Sequence, residues 1–131
     1  MTKREIYNKY NGHCAYCGKK LNFDDMTLDH IHPQSKGGKS NINNIYPCCH
    51  LCNNQKGNKS IEEFRQYLTD IDSYLDDIIQ YRIALRYNKV KVNSSKVKFY
   101  FETIWTNNIF KFMITIKNSK GDICDYRIFY N

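Results

Sequence analysis

The stretch Thr27–Pro33, which reads TLDHIHP, is the part of the sequence that decides the fold. From residue 26 to residue 30, apolar and polar residues alternate with a period of two, which is typical of a β-strand. The alternation places Leu28 and His30 on one face of the strand and Asp29 on the other. A proline cannot donate a hydrogen bond to a sheet, so the strand pattern ends at the end of this stretch. A carboxylate and an imidazole are therefore adjacent in sequence at the end of the predicted strand, on opposite faces of it.

Two Cys-x-x-Cys pairs flank this strand: Cys14 and Cys17 precede it, and Cys49 and Cys52 follow it. Zinc prefers four soft ligands in a tetrahedron, and the two pairs supply them. We expect reduced, zinc-binding thiolates rather than disulfides, because the chain opens with polar residues and not with an export signal. The 31 residues between the pairs exceed an ordinary zinc-ribbon spacing, so a folded element should lie between them.

Other cysteines and histidines leave alternatives open around this site. We interpret Cys48 and Cys124 as buried free thiols. His13 and His50 lie beside the cysteine pairs, and either could replace a cysteine as a zinc ligand, although the four cysteines suffice. A purely structural zinc site would not need an acid, an imidazole and several amides nearby, and that excess indicates a function.

Composition points to a nucleic-acid partner. The net charge is +7, with nine lysine and arginine residues against four acidic ones in residues 1–60. Residues 61–87 are acidic overall, and residues 88–131 are again basic. Two basic ends around an acidic middle fit a polyanion such as DNA. No stretch is apolar enough to cross a membrane, so we expect a cytoplasmic protein without a membrane partner.

The sequence predicts several helices. Thr2 and Glu5 form a capping box for a helix over residues 2–10, which ends before Asn11-Gly12. Residues 41–46 predict a helical turn, and residues 50–56 predict a helix that begins at the second cysteine pair. A second capping box, formed by Ser60 and Glu63, opens an amphipathic segment that reaches residue 87 and is interrupted near residues 69–70.

The last forty residues change character. Residues 97–101, 109–117 and 123–130 are rich in β-branched and aromatic side chains, which predicts a three-stranded antiparallel meander, and residues 89–92 could add a fourth strand. We interpret the aromatic residues of this sheet as core rather than as base-stacking groups. Its lysines form either a DNA-binding face or a solvated one. The aromatic residues are Tyr100, Phe112 and Tyr126, and the lysines are Lys96, Lys98, Lys111 and Lys117.

Taken together, these ordered motifs resemble the HNH endonuclease family over roughly residues 4–58. The resemblance implies a ββα-metal core, two strands and a helix around one catalytic ion. We therefore expect an α+β chain with three parts: a zinc-stapled HNH nuclease core at 1–58, a helical segment at 59–87, and a small antiparallel β-sheet at 88–131. The sheet would contact DNA or form a homodimer. The motifs are 28–33 (LDHIHP), 35–38 (SKGG), 44–47 (NIYP) and 49–57 (CHLCNNQKG).

The resemblance also assigns roles to individual residues. It implies that Asp29 and Asn53 hold a catalytic Mg²⁺ or Mn²⁺, that His30 is the general base, and that Asn44 braces the loop. Three lysines are candidate DNA phosphate contacts that would position the strand without reading its sequence. These are Lys36, Lys39 and Lys56.

Two functions follow from this pattern. The first is a metal-dependent DNA endonuclease that hydrolyses phosphodiester bonds, and the alternative is a non-catalytic, zinc-stabilised nucleic-acid-binding module. Each residue also has a structural interpretation. Asp29 and His30 could be a hydrogen-bonded surface pair, Asn53 could cap a helix, and His32 could support the site or lie on the surface.

Overall fold

The structure is a computed structural model that describes residues 2–104. Helix α1 spans Lys3–Lys9 and begins with the predicted capping box: the Glu5 amide donates to Thr2 Oγ1 at 3.1 Å, and the Thr2 amide donates to Glu5 Oε2 at 2.6 Å. Asn11 follows the helix with a φ of 55°, in the left-handed region that asparagine tolerates. The predicted first helix and its end are confirmed.

The centre of the fold is a two-stranded antiparallel sheet. Strand β1 spans Thr27–His30 and strand β2 spans Ile45–Cys48, with Thr27 opposite Cys48 and His30 opposite Ile45. Helix α2, His50–Lys56, follows β2 directly and begins at the second cysteine pair, as predicted. The order strand, strand, helix with a four-cysteine cluster beside it fits an HNH-type fold of the α+β class.

The turn predicted over residues 41–46 is only half correct. A single helical turn covers Ile42–Asn44, but the backbone then enters β2, which includes Pro47. Within residues 2–104, this sheet has two strands and β2 pairs only with β1, so proline removes no hydrogen bond to a third strand. The Pro47 carbonyl instead accepts a hydrogen bond from the Ala15 amide at 2.9 Å, which ties the first cysteine pair to β2.

The amphipathic segment forms separate helices. Helix α3 spans Ile61–Thr69 and starts at Ser60 with the predicted capping box. The chain breaks at Asp70, continues as a short helical stretch over Ile71–Leu75, and ends in helix α4, Ile79–Arg86. The interruption near residues 69–70 is confirmed. Within residues 2–104, none of the helices has the length and apolar character needed to cross a membrane.

The predicted strand over residues 97–101 is wrong. Residues 100–104 are helical and residues 97–99 are irregular, and residues 89–92 form no strand either. Tertiary packing overrides the local β-propensity here. The Phe99 ring stacks on Phe64 with centroids 5.5 Å apart, and the Tyr100 amide donates to the Tyr16 carbonyl at 3.0 Å.

Arg65 of helix α3 fastens this C-terminal stretch to the rest of the fold. Its guanidinium donates to both carboxylate oxygens of Glu102, at 2.6 and 2.8 Å, and to the Val97 carbonyl at 2.7 Å. It also lies over the Phe99 ring at 4.8 Å. Residues 97–104 therefore help to close the core.

The rest of the C-terminal prediction lies outside the described residues, and the division of the chain at residues 58 and 87 stays a prediction. This applies to the strands predicted at 109–117 and 123–130 and to five of the interpreted residues. These residues are Phe112, Tyr126, Lys111, Lys117 and Cys124.

Candidate metal centre and active site

The four predicted cysteine ligands come together. Their sulfur atoms all lie within 4.8 Å of one another, and the Cys17 and Cys49 sulfurs are 3.9 Å apart. Four zinc–sulfur bonds of about 2.3 Å in a tetrahedron place sulfurs about 3.8 Å apart. The cysteines are free thiols and not disulfides. The donor set and spacing therefore suit a tetrahedral metal such as zinc.

Local backbone geometry builds this cluster. Gly18 follows the first pair with a φ of 77°, and its amide donates to the Cys14 carbonyl at 3.0 Å, which closes a tight turn around the sulfurs. Cys49 is the N-cap of α2, with its sulfur 3.5 Å from the Cys52 amide nitrogen. A hydrogen bond from the Cys52 thiol lowers the pKa of Cys14 to about 4, and the same contact raises the pKa of Cys52.

The remaining thiol and the histidines beside the pairs take no part in the cluster. Neither His13 nor His50 belongs to the group of close ligand atoms found within residues 2–104. Cys48 is fully buried, and burial raises the pKa of its thiol to about 12. Its sulfur lies 3.2 Å from Thr27 Oγ1. The interpretation of Cys48 as a buried free thiol is confirmed.

The Asp29 side chain is buried in the protein interior. Its Oδ2 atom accepts a hydrogen bond from the Tyr16 hydroxyl at 2.5 Å and forms an ion pair with the Lys56 ammonium group at 3.0 Å. Burial and the Asp29 charge both raise the pKa of Tyr16, so the phenol remains a neutral donor. Within residues 2–104, no hydrogen bond to Asp29 Oδ1 is described, which leaves that oxygen available to a ligand.

The prediction that Lys56 contacts phosphate is wrong for this structure. The side chain has no solvent exposure (0%), and its Nζ donates a hydrogen bond to the His30 carbonyl at 2.9 Å and forms the ion pair with Asp29. The cause is the position of α2, whose last turn lies against the end of β1. A buried ammonium group needs such partners. Lys56 is thus an internal counter-ion of Asp29.

Asn53 lies one helical turn before Lys56 on the same side of α2. It is half-buried, and its carboxamide has no described hydrogen-bond partner within residues 2–104. The N-cap of this helix is Cys49 and that of the following helix is Ser60, so the alternative in which Asn53 caps a helix is wrong. The carboxamide is left available to a ligand.

His30 points away from this buried network. It is half-buried, and its Nε2 lies 2.8 Å from Ser40 Oγ. The Gln34 carboxamide also donates to Ser40 Oγ, at 3.1 Å. The imidazole is therefore held by the loop that joins β1 to β2.

Asn44 braces that loop. Its Oδ1 accepts from the His32 amide at 2.8 Å, and its Nδ2 donates to the carbonyls of His32 and Lys39 at 3.1 and 2.8 Å. The loop is also tightly closed at Gly38, where a Cβ atom would lie 1.8 Å from the His32 carbonyl oxygen. The His32 ring bonds to the Lys36 carbonyl at 2.8 Å, so His32 supports the loop.

Two predicted DNA contacts lie at the surface of the loop. Lys39 is exposed, and Lys36 forms an exposed ion pair with Glu63 of α3 at 3.0 Å. An exposed pair of this kind contributes little to stability and can exchange partners with a phosphate. Their role as DNA contacts stays a prediction.

Sequence reasoning missed three residues of the site. Tyr16 lies inside the first cysteine pair and Gln34 and Ser40 lie in a polar loop, and none of these positions carries a pattern of its own. Only the spacing of Asn53 and Lys56 on one helix face could have indicated that Lys56 meets the strand. The contacts of Tyr16, Gln34 and Ser40 join parts of the chain that come together only in the folded structure, so no local sequence pattern predicts them.

Comparisons with known proteins match this part of the chain. Residues 14–69 match the family HNH endonuclease. The CRISPR-associated endonuclease Cas9 of Corynebacterium diphtheriae (strain ATCC 700971 / NCTC 13129 / Biotype gravis) is 41% identical over 59 residues, which cover 44% of this chain and 5% of that protein. The crystal structure of the Type II-C Cas9 enzyme from Actinomyces naeslundii shares 27% identity, with a TM-score of 0.47, and the match covers 50% of this chain and 7% of that one.

The chain thus corresponds to a small part of either Cas9 protein. The matched family segment contains both cysteine pairs, both strands and helix α2. The predicted resemblance to the HNH endonuclease family is thus confirmed for the segment of residues 14–69.

Proposed function

We propose that this chain is a metal-dependent DNA endonuclease that hydrolyses phosphodiester bonds, with His30 as the general base. One divalent ion would be held by Asp29 and Asn53. The observation that supports this most is the pair of bonds from Lys56 to Asp29 and to the His30 carbonyl. These bonds hold α2 against the end of β1, so the helix face that carries Asn53 meets the strand that carries the acid and the imidazole.

The donor chemistry suits Mg²⁺ or Mn²⁺. Both ions prefer oxygen ligands, and Asp29 Oδ1 and the Asn53 carboxamide have no described hydrogen-bond partners within residues 2–104. When bound, such an ion supplies charge stabilisation to the scissile phosphate and to the departing 3′ oxygen. The four cysteines would hold a separate structural zinc ion.

His30 would activate the water that attacks phosphorus. Histidine is the side chain that is ordinarily neutral near pH 7 and can still accept a proton. As the water oxygen bonds to phosphorus, its proton passes to the imidazole and the bond to the 3′ oxygen breaks, and the 3′ oxygen then takes a proton from solvent. The products would be a 5′ phosphate and a 3′ hydroxyl. His30 is half-buried and not enclosed, so a phosphate group can reach it.

The rim of the site would bind the DNA backbone. Lys36 and Lys39 lie on the exposed loop beside His30, and the chain carries a net charge of +7. The Corynebacterium relative is named an endonuclease, and we carry that activity to this chain. A homodimer through residues 88–131 stays a prediction, which sedimentation at micromolar concentration would check.

The test is cleavage of plasmid DNA by the purified, zinc-loaded chain with Mg²⁺ or Mn²⁺. We expect His30→Ala to lower the cleavage rate by about 10²- to 10⁴-fold, because it removes the base. His50→Ala is the matched control, since His50 is exposed and lies outside the ligand cluster. Equal cleavage by both variants would exclude His30 as the base.

The same experiment separates the alternative function. A zinc-stabilised binding module would bind DNA in a salt-sensitive way and would not cleave it with either ion. The +7 charge fits both functions, so turnover is the property that decides between them.

A further inference from the structure

Ser40 is placed to control the chemistry of the His30 ring. Its hydroxyl oxygen lies 2.8 Å from His30 Nε2, within hydrogen-bond distance. No residue within 2–104 has a described hydrogen bond to the other ring nitrogen, Nδ1. The two nitrogens of this imidazole therefore have different surroundings.

A neutral imidazole carries its proton on one nitrogen and a lone pair on the other. A general base needs the lone pair on the nitrogen that faces the attacking water. Because Ser40 occupies the Nε2 side, Nδ1 is the nitrogen left for water. His30 can act there only if the proton resides on Nε2.

The loop holds Ser40 in a position to accept that proton. The Gln34 carboxamide donates to Ser40 Oγ at 3.1 Å, and a hydroxyl oxygen can accept two hydrogen bonds. The second acceptor site suits an Nε2–H donor. The carbonyl of the neighbouring residue, Lys39, is fixed by the Asn44 carboxamide at 2.8 Å, so the backbone that carries Ser40 is braced.

We propose that Ser40 is a positioning residue that holds neutral His30 in its Nε2–H tautomer and leaves the Nδ1 lone pair to take the proton from water. This inference rests on the proposed function and names the reacting nitrogen. When the proton arrives at Nδ1, the Nε2–H bond to Ser40 remains and becomes charge-assisted, which stabilises the imidazolium. Ser40 itself gains and loses no proton.

Nitrogen NMR of the full, zinc-loaded chain tests the tautomer directly. Two-bond ¹H–¹⁵N correlation near pH 8, where histidine is ordinarily neutral, distinguishes protonated from unprotonated ring nitrogens. The His30 signals are assigned by their loss in His30→Ala. We expect the Nε2–H form in the unmodified chain, a mixture of tautomers in Ser40→Ala, and recovery of Nε2–H in Ser40→Thr, which keeps the hydroxyl.

Kinetics supply the second measurement. We expect Ser40→Ala to lower kcat by about tenfold with KM unchanged, because the wrong tautomer is unproductive while DNA contacts remain. Ser40→Thr should restore most of the rate. Since Ser40 is exposed, the alanine variant should fold normally, and the zinc content of each variant checks this.

Each outcome decides between the two proposals. Cleavage by the unmodified chain with His30 in the Nδ1–H form would overturn the role of Ser40 and leave the endonuclease function standing. An unchanged tautomer in Ser40→Ala would also overturn it. An unmodified chain that binds DNA without cleaving it would overturn the proposed function and this inference with it.

Discussion

Asp29 and His30 are neighbours in sequence, yet they lie in opposite environments. The Asp29 carboxylate is 7% exposed and is held from below by Tyr16 and Lys56, both of which are buried. The His30 ring is half-buried and is held from outside by Ser40, which is exposed. Strand alternation causes this separation, since adjacent side chains point to opposite faces.

The difference separates stability from chemistry. The buried side is a network of charged and polar groups around Asp29 Oδ2, and removing one member leaves the others desolvated and unpaired. The exposed side is bonded through a loop that water can reach, so a lost hydrogen bond there is replaced by water at small cost. Substitutions below Asp29 should therefore change folding, and substitutions around His30 should change turnover.

The largest effect is expected at the cysteine cluster, which belongs to neither side. Cys14→Ser should abolish tight zinc binding and unfold the chain, because a structural zinc site contributes on the order of 10 kcal/mol to folding. Zinc content and circular dichroism measure this. Cys48→Ala is the matched control, since Cys48 is also buried and is not in the cluster. Equal zinc content in the two variants would contradict the four-cysteine site.

The next effect tests the buried side directly. Lys56→Met should destabilise the fold by about 3–5 kcal/mol, because it leaves the buried Asp29 carboxylate without its counter-ion. Lys36→Met removes the exposed pair with Glu63 and should change stability very little, because solvent screens an exposed pair. Urea unfolding measures both. Similar losses in the two variants would show that the two ion pairs are not in different environments.

The exposed side should respond in the opposite way. Asn44→Ala removes three hydrogen bonds that brace the loop, and because water can replace them it should cost only about 0.5–1.5 kcal/mol of stability. The cleavage rate should fall further than this loss of folded protein explains, because the loop also positions His30. Comparing the rate per folded molecule with that of Lys36→Met separates the two effects. A rate that simply follows folded protein would mean that the loop has no role in catalysis.

The smallest effect concerns pH. The hydrogen bond and charge of Arg65 lower the pKa of Glu102 in the folded state, so this group stabilises the fold above its ordinary pKa of about 4.3. That contribution is lost as the pH falls through the lowered value. Across that pH range, the unmodified chain should lose slightly more stability than Glu102→Gln, and the difference should be small because the carboxylate is one-third exposed. If the free energies of unfolding of the two proteins fall in parallel as the pH is lowered, Glu102 does not contribute to the loss of stability in acid.

Local signals explain which parts of the fold were predictable. The two capping boxes, at Thr2 with Glu5 and at Ser60 with Glu63, act over three residues, so the sequence alone reveals them. The cysteine pairs are equally local, and metal geometry forces them together.

The wrong predictions involve contacts between distant residues. Residues 97–101 look like a strand because they are aromatic and β-branched, but the ring of Phe64 and the guanidinium of Arg65 determine their conformation. Lys56 looks like a surface lysine because most lysines are. Its burial depends on Asp29, which is 27 positions away in the sequence.

The anchoring of residues 97–104 has a practical consequence for anyone who trims this protein. The stretch recognisable by homology stops at residue 69, but the aromatic rings that shield Tyr16 and Phe64 arrive some thirty positions later. A chain cut after residue 69 would lose Phe99, leave Tyr16 and Phe64 exposed to water, and leave the Arg65 guanidinium without Glu102. We therefore expect the folding unit to extend well beyond the matched segment.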